Sequence, residues 1–101
     1  MANLVPMVHR EKSYAGLTLL WMRTLLGKQE PRYSSCRAMI DANRNKLHAD
    51  PQVGEVVLYE HGAHGDIGLY VGQGRVLRLQ PSGIPILTTI GNTIGAMPWP
   101  D

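Results

Sequence analysis

Cys36 is the only thiol in the chain, and His48, His61 and His64 are the imidazoles in the body of the sequence. A cysteine with an imidazole beside it can act as a nucleophile. The imidazole takes the thiol proton, and the thiolate attacks a carbonyl carbon. His64 and His48 are the candidate bases. Against that chemistry stands the ordinary role of a lone cysteine, which is a small buried apolar residue. His61 and His64 lie three apart with Asp66 close behind. Two imidazoles and a carboxylate are a ligand set for a divalent metal. The stretch His61-Gly62-Ala63-His64-Gly65 reads, however, as a Gly-rich hairpin loop, which holds a metal poorly. Neither a metal nor a cofactor is expected. Gly72-Gln73-Gly74 lacks the strand-to-helix context of a phosphate loop and reads as a hairpin turn. A single cysteine excludes an intramolecular disulfide and a multi-cysteine zinc site.

The elements that must carry these residues can be read from periodicity. Residues 1–12 read as an N-terminal arm, and 13–101 as a single domain. Ser13 is a candidate cap for a helix over Tyr14 to Leu26. Leu17, Leu20, Trp21, Thr24 and Leu25 fall on one face at helical spacing. Gly27 then Lys28 ends it as C-caps prefer. Ser34 or Ser35 caps a second helix from Cys36 to about Leu47, with Met39, Ile40, Asn43 and Leu47 on a weaker apolar face. Asp50-Pro51 breaks the chain. The period then changes. Glu55 to Tyr59 is β-rich. Asp66 to Gly72 alternates, with Ile67, Leu69 and Val71 on one side. Arg75 to Leu79 follows the turn, and Ile84 to Ile90 is a fourth strand. Helices first and strands afterwards predict an α+β fold, two N-terminal helices packed on a small antiparallel sheet.

Composition bounds the function. The chain has 101 residues, of which 44% are hydrophobic and 18% charged, a globular balance and not a disordered one. A net charge of +2 without a dense basic run gives no case for nucleic acid. The longest apolar stretch, around Leu17 to Leu26, is too short to span a bilayer. The N-terminus does not read as a signal peptide, so the product is expected to be made in a cytoplasm and to leave it only by lysis. The segment Ile84 to Trp99, punctuated by Gly91, Gly95 and Pro98, is too apolar for a free tail. It must pack back on the sheet or dock on a neighbour. The arm, with Leu4, Val5, Met7 and Val8, raises the same question, and both suggest assembly contacts.

Two segments carry a resemblance. One is Ser13-Tyr14-Ala15-Gly16-Leu17-Thr18-Leu19 and the helix it opens. The other is Pro51-Gln52-Val53-Gly54-Glu55-Val56-Val57-Leu58-Tyr59 followed by His64-Gly65-Asp66-Ile67-Gly68-Leu69-Tyr70-Val71-Gly72-Gln73-Gly74-Arg75-Val76. Together they resemble the papain-like CHAP and NlpC-type amidase and peptidase superfamily, closest to short CHAP-like domains of actinobacterial phages. Arg32-Tyr33-Ser34-Ser35 through Ala42 resembles the second helix of those domains, and Trp99 their closing Gly-Trp segment. The resemblance spans roughly residues 13–100. It implies a cysteine at a helix N-terminus, a histidine on the second strand as base and acid, and a third polar residue on the next strand to orient it. In this sequence the cysteine position falls on Thr18, the histidine position on Asp66, and the third position near Gln80. A Thr/Asp pair supplies neither a thiolate nor an imidazole.

The resemblance therefore implies a domain that has lost its catalysis. The expected role is a phage virion structural protein, either a capsid decoration or minor capsid protein or a tail or baseplate component. Its partners would be other capsid or tail subunits and further copies of itself, with no nucleic acid and no membrane. Its place would be the virion, after synthesis in the host cytoplasm. Two alternatives stay open at this point. One is a peptidoglycan amidase or endopeptidase with Cys36 as a relocated nucleophile. The other is a cell-wall binding module that no longer cuts, with Trp21, Tyr59 or Tyr70 lining an open cleft.

Overall fold

The computed structural model describes residues 14–60, 62–80 and 82–100, with side chains from Thr18 onward. The arm expected over residues 1–12 and the cap expected at Ser13 lie outside them. The chain folds as α+β. Helix α1 (Tyr14–Leu26) and helix α2 (Cys36–Asn43) precede five strands: β1 (Val56–Tyr59), β2 (Asp66–Gly72), β3 (Arg75–Leu79), β4 (Pro85–Thr89) and β5 (Gly95–Met97). The strands form one antiparallel sheet in the order β4-β3-β2-β1-β5. The two described helices begin at Tyr14 and Cys36, so neither starts at the N-terminus itself.

Local chemistry explains the helix ends. Gly27 takes φ +70 and Lys28 N–H donates to Arg23 O at 2.8 Å, which closes α1 on its own last turn. Ser35 caps α2: its extended backbone lets its Oγ accept from Ala38 N–H at 3.1 Å. Helix α2 stops at Asn43, earlier than expected, and a 3-10 turn over Arg44–Lys46 continues to Leu47. Asn43 is the reason the chain can turn there. Its buried side-chain amide donates to Met39 O at 2.8 Å and to the Tyr33 hydroxyl at 3.2 Å.

The buried face of α1 differs from the expected one. Thr18, Leu19 and Met22 are buried, whereas Thr24 and Leu25 are exposed and Leu20 and Trp21 only half-buried. The helix is apolar around much of its circumference, so spacing alone could not select the stripe. The sheet selects it by seating Leu19 and Met22 against Val56, Leu58 and Ile67, with Met39 and Ile40 of α2 alongside.

The other side of the sheet holds a smaller core of Val57, Tyr59, Val76 and Ala96. Strand β1 is thus covered on both faces, which is why it reads as an unbroken apolar run, Val-Val-Leu-Tyr. The segment after Ile90, punctuated by Gly91 and Gly95, returns to the sheet. Ile90 to Ile94 carries the chain from the β4 edge to the β1 edge, where Ile94 N–H donates to Leu58 O at 3.0 Å. β5 then pairs with β1, Val57 opposite Ala96. Trp99 is buried behind it and donates through Nε1 to Glu30 O at 3.0 Å. The part of the apolar tail from Ile94 to Trp99 thus packs back on its own sheet, whereas Ile84, Ile86 and Leu87 stay exposed.

The β2–β3 hairpin turns through Gln73 and Gly74, both at positive φ, as a two-residue primed turn requires. A bulge between Tyr70 and Gly72 places one extra residue, Val71, on β2. Val71 is consequently exposed instead of joining Ile67 and Leu69 on the helix side. Because side chains alternate, that one-residue slip decides which β3 residues face Asp66, Gly68 and Tyr70.

Candidate functional site

Of the positions singled out by sequence, Cys36, His64 and Asp66 come together where α2 begins and β2 begins. The loop that leads into β2 wraps the N-terminus of α2. Arg37 N–H donates to His64 O at 2.7 Å, Arg37 Nε to Ala63 O at 3.2 Å, and Arg37 Nη2 to Gly62 O at 3.3 Å. Gly65 makes the close approach possible. It sits at φ +73, and a Cβ there would lie 3.1 Å from Arg37 N, 3.1 Å from Tyr59 O and 3.4 Å from Cys36 Cβ. The next residue, Asp66, therefore opens β2 beside Cys36.

Asp66 is committed to structure. Its Oδ1 accepts from Ile67 N–H at 2.8 Å, and its Oδ2 is paired with the Arg78 guanidinium. The register explains the pairing. Gly68 stands opposite Arg78, so Asp66 is the diagonal neighbour on the same face. Gly68 has no side chain to hold the arginine off. A Cβ on it would come within 3.0 Å of Arg78 Cγ. The guanidinium then lies over the ring of Tyr59, 4.1 Å from its centroid. Tyr59 is itself buried, and its hydroxyl donates to Ile90 O at 2.7 Å. Burial, and more weakly Asp66, raise the Tyr59 phenol, while Arg78 lowers it.

Cys36 is closed off. It is 1% exposed, and its thiol is pushed from its ordinary 9.0 up to about 12, first by burial and second by the negative charge of Asp66. A catalytic cysteine needs the reverse environment, a positive neighbour and access to solvent. Neither candidate base serves it. His64 is exposed and bound to the α2 start through its backbone, while His48 pairs with Glu55, its Nε2 at 2.9 Å from Oε1, next to the β5 edge. Two results follow from this environment. Iodoacetamide should leave Cys36 unmodified in the native protein at pH 8 and modify it fully in denaturant; rapid native alkylation would show the thiol to be reactive. The raised folded value also makes the thiol a stabilising proton site below pH 9 whose contribution is lost as pH climbs from 9 toward 12. Urea titrations should show wild type losing about 1 kcal/mol more than Cys36→Ala between pH 8.5 and 10. Parallel pH profiles would refute it.

Thr18 is buried on α1, which packs across β2. Gln80 does not turn toward Asp66. Its Nε2 and its backbone N–H both donate to Ile84 O, at 3.1 and 3.0 Å, in the loop that ends β3. His61 lies outside the described residues, and among those described no group of three or more His, Cys, Asp or Glu is gathered to hold a metal. No described helix is long and apolar enough to cross a membrane. For the open aromatic cleft, Tyr59 is buried, Trp21 packs against the helix-side core, and Tyr70 spends its hydroxyl accepting from Gly74 N–H at 3.0 Å. The residues that sequence reasoning missed are Arg78 and Gly68. The hairpin turn hinted at the pairing, but the bulge that completes the register leaves no mark in a single sequence.

No protein-family model matches the chain, and the curated proteins contain no match to it.

Proposed function

We propose that this chain is a CHAP-like domain that has given up cleavage and serves as a phage virion structural protein, working through protein–protein contacts. The observation that carries the first half is the Asp66–Arg78 pair beside a neutral, buried Cys36. Position 66, where the resemblance calls for a histidine, holds a carboxylate paired with arginine, and its negative charge opposes a thiolate at Cys36. Thr18 offers a hydroxyl of very high pKa with a carboxylate as the nearest counterpart by family position, which is no base for it at neutral pH. Supporting the papain-like reading, a helix is packed on an antiparallel sheet, with Asp66 at the head of the second strand.

The structural role rests on what remains when catalysis is gone, a small scaffold with exposed apolar residues outside its cores. Whether it stands on capsid or tail is a question of neighbours. Mass spectrometry of purified virions should find the chain at a stoichiometric level; its absence from the particle would overturn the virion role. Incubated with purified cell walls, the protein should release no peptide or sugar, and Cys36→Ala should behave identically. Wall cleavage that disappears in Cys36→Ala would establish the cysteine amidase instead.

A further inference from the structure

A cleft of about 500 Å³, open to solvent, lies at the C-terminal end of α1. Three of its lining residues are cations, Arg23, Lys28 and Arg32, and none is acidic. The local chain builds this arrangement. Gly27, at φ +70, reverses the direction, and Lys28 N–H returns to Arg23 O at 2.8 Å. Gln29 is carried back alongside the last turn. Its carbonyl accepts from Arg23 Nη1 at 3.2 Å and from Arg32 Nε at 3.4 Å. The next residue, Glu30, is anchored by Trp99, whose Nε1 donates to its carbonyl at 3.0 Å.

Two guanidiniums are thus drawn to one neutral oxygen. Like charges gathered in this way repel unless an anion offsets them. The end of the helix supplies only about half a negative charge, which Arg23 in its last turn already serves. The carboxylate described beside them is Glu30, 3.5 Å from Arg32 Nε, with side chains 73% and 67% exposed. A pair so exposed is weak. Among the described residues Arg23 has no carboxylate partner at all, and its Nε is buried with no acceptor. A buried donor left without an acceptor is costly and calls for an explanation.

We infer that this cleft binds the phosphate group of a small phosphomonoester. Flat guanidiniums match phosphate oxygens with paired N–H donors. Among the described residues, Arg23 and Arg32 each spend one N–H on Gln29, which leaves both with donors for a ligand. An anion against Arg23 also offsets the charge on its buried Nε, even where it accepts from the terminal nitrogens. A phosphomonoester dianion balances two arginines, whereas a carboxylate balances one. The volume lies in the range of small-molecule sites, roughly 300–1,000 Å³, and is more than a bare phosphate fills. The organic remainder would lie along Leu20 and the arginine stems. Glu30 is the competitor that the phosphate displaces from Arg32. This cleft shares no residue with the Asp66 cluster and does not depend on the virion role.

The test is a heteronuclear NMR titration of the full chain with inorganic phosphate at pH 8, with sodium chloride holding the ionic strength constant. Shifts should saturate and centre on residues 20–32, with the Nε–H signals of Arg23 and Arg32 among those that move. Arg23→Lys keeps the charge without the fork, and Arg32→Gln removes a charge. Each should weaken binding about tenfold or more, with an unchanged far-UV spectrum. Glu30→Gln removes the competitor and should bind at least as tightly as wild type. Arg44→Gln deletes the same charge on the 3-10 turn after α2 and should bind as wild type does. Acetate should bind about tenfold more weakly than phosphate. Shifts that do not saturate, or that acetate reproduces at equal concentration, would overturn the inference. So would binding that survives both arginine variants, that weakens in Glu30→Gln, or that Arg44→Gln weakens as much as Arg32→Gln does.

Discussion

Gly95→Ala should cost about 3 kcal/mol and lower the melting temperature by roughly 15 °C. Gly95 opens β5 at φ +144, a region that L-residues rarely enter. A Cβ there would sit 2.8 Å from Leu47 Cβ and 3.3 Å from His48 O. Leu47 cannot recoil freely. Its neighbour His48 is tied to Ala96 by two backbone bonds, and Leu47 packs on the helix-side core. The substitution must therefore strain the backbone or break the bridge, and β5 is the strand that returns the tail to the sheet. A cost this size is a large share of the 5–15 kcal/mol that holds a domain together. Gly91→Ala is the control. Gly91 also has positive φ, but nothing lies within 4 Å of the added carbon, so its cost should be about 1 kcal/mol. Equal costs at the two positions would show that the crowding at Gly95 is unimportant.

Arg78→Ala should cost about 2 kcal/mol, measured by urea unfolding at pH 7. The substitution strips Asp66 of its counter-charge and uncovers the ring of Tyr59. A fully buried pair would cost more to break. Here the Arg78 and Asp66 side chains keep 24% and 23% of their surface in water, which softens the loss. Arg78→Lys should fall between, since an ammonium keeps the charge but not the flat contact with the ring. A double-mutant cycle with Asp66→Asn should give a coupling of about 1 kcal/mol. No coupling would mean that Arg78 acts through packing on Tyr59 alone.

Both predictions turn on residues whose importance is invisible along the chain. The hairpin was legible at Gly72-Gln73-Gly74 because a primed turn needs residues that tolerate positive φ. The helix ends were legible at Ser35 and Gly27 because capping is satisfied within a few residues. The strands β1 to β4 were legible in apolar and β-branched runs. By contrast, the stripe of α1 was misjudged, since an apolar helix shows no preferred side until a sheet supplies one. Val71 was placed inward because alternation continues until a bulge breaks it. β5 was missed because three residues, Gly-Ala-Met, carry no strand signal, and β1 alone gives them a partner.

The same division holds at the candidate site. That Cys36 is the single thiol and that the order runs from helices to strands are properties of the sequence by itself. They depend on residue type and local spacing. That Asp66 and not a histidine sets the charge near Cys36, that Asp66 is held by Arg78 across Gly68, and that β5 is bridged by His48 while no described residue pairs with the outer side of β4 were decided only by the tertiary structure. Each depends on pairing between segments far apart in the chain, and a one-residue change of register would have turned those side chains to the opposite face.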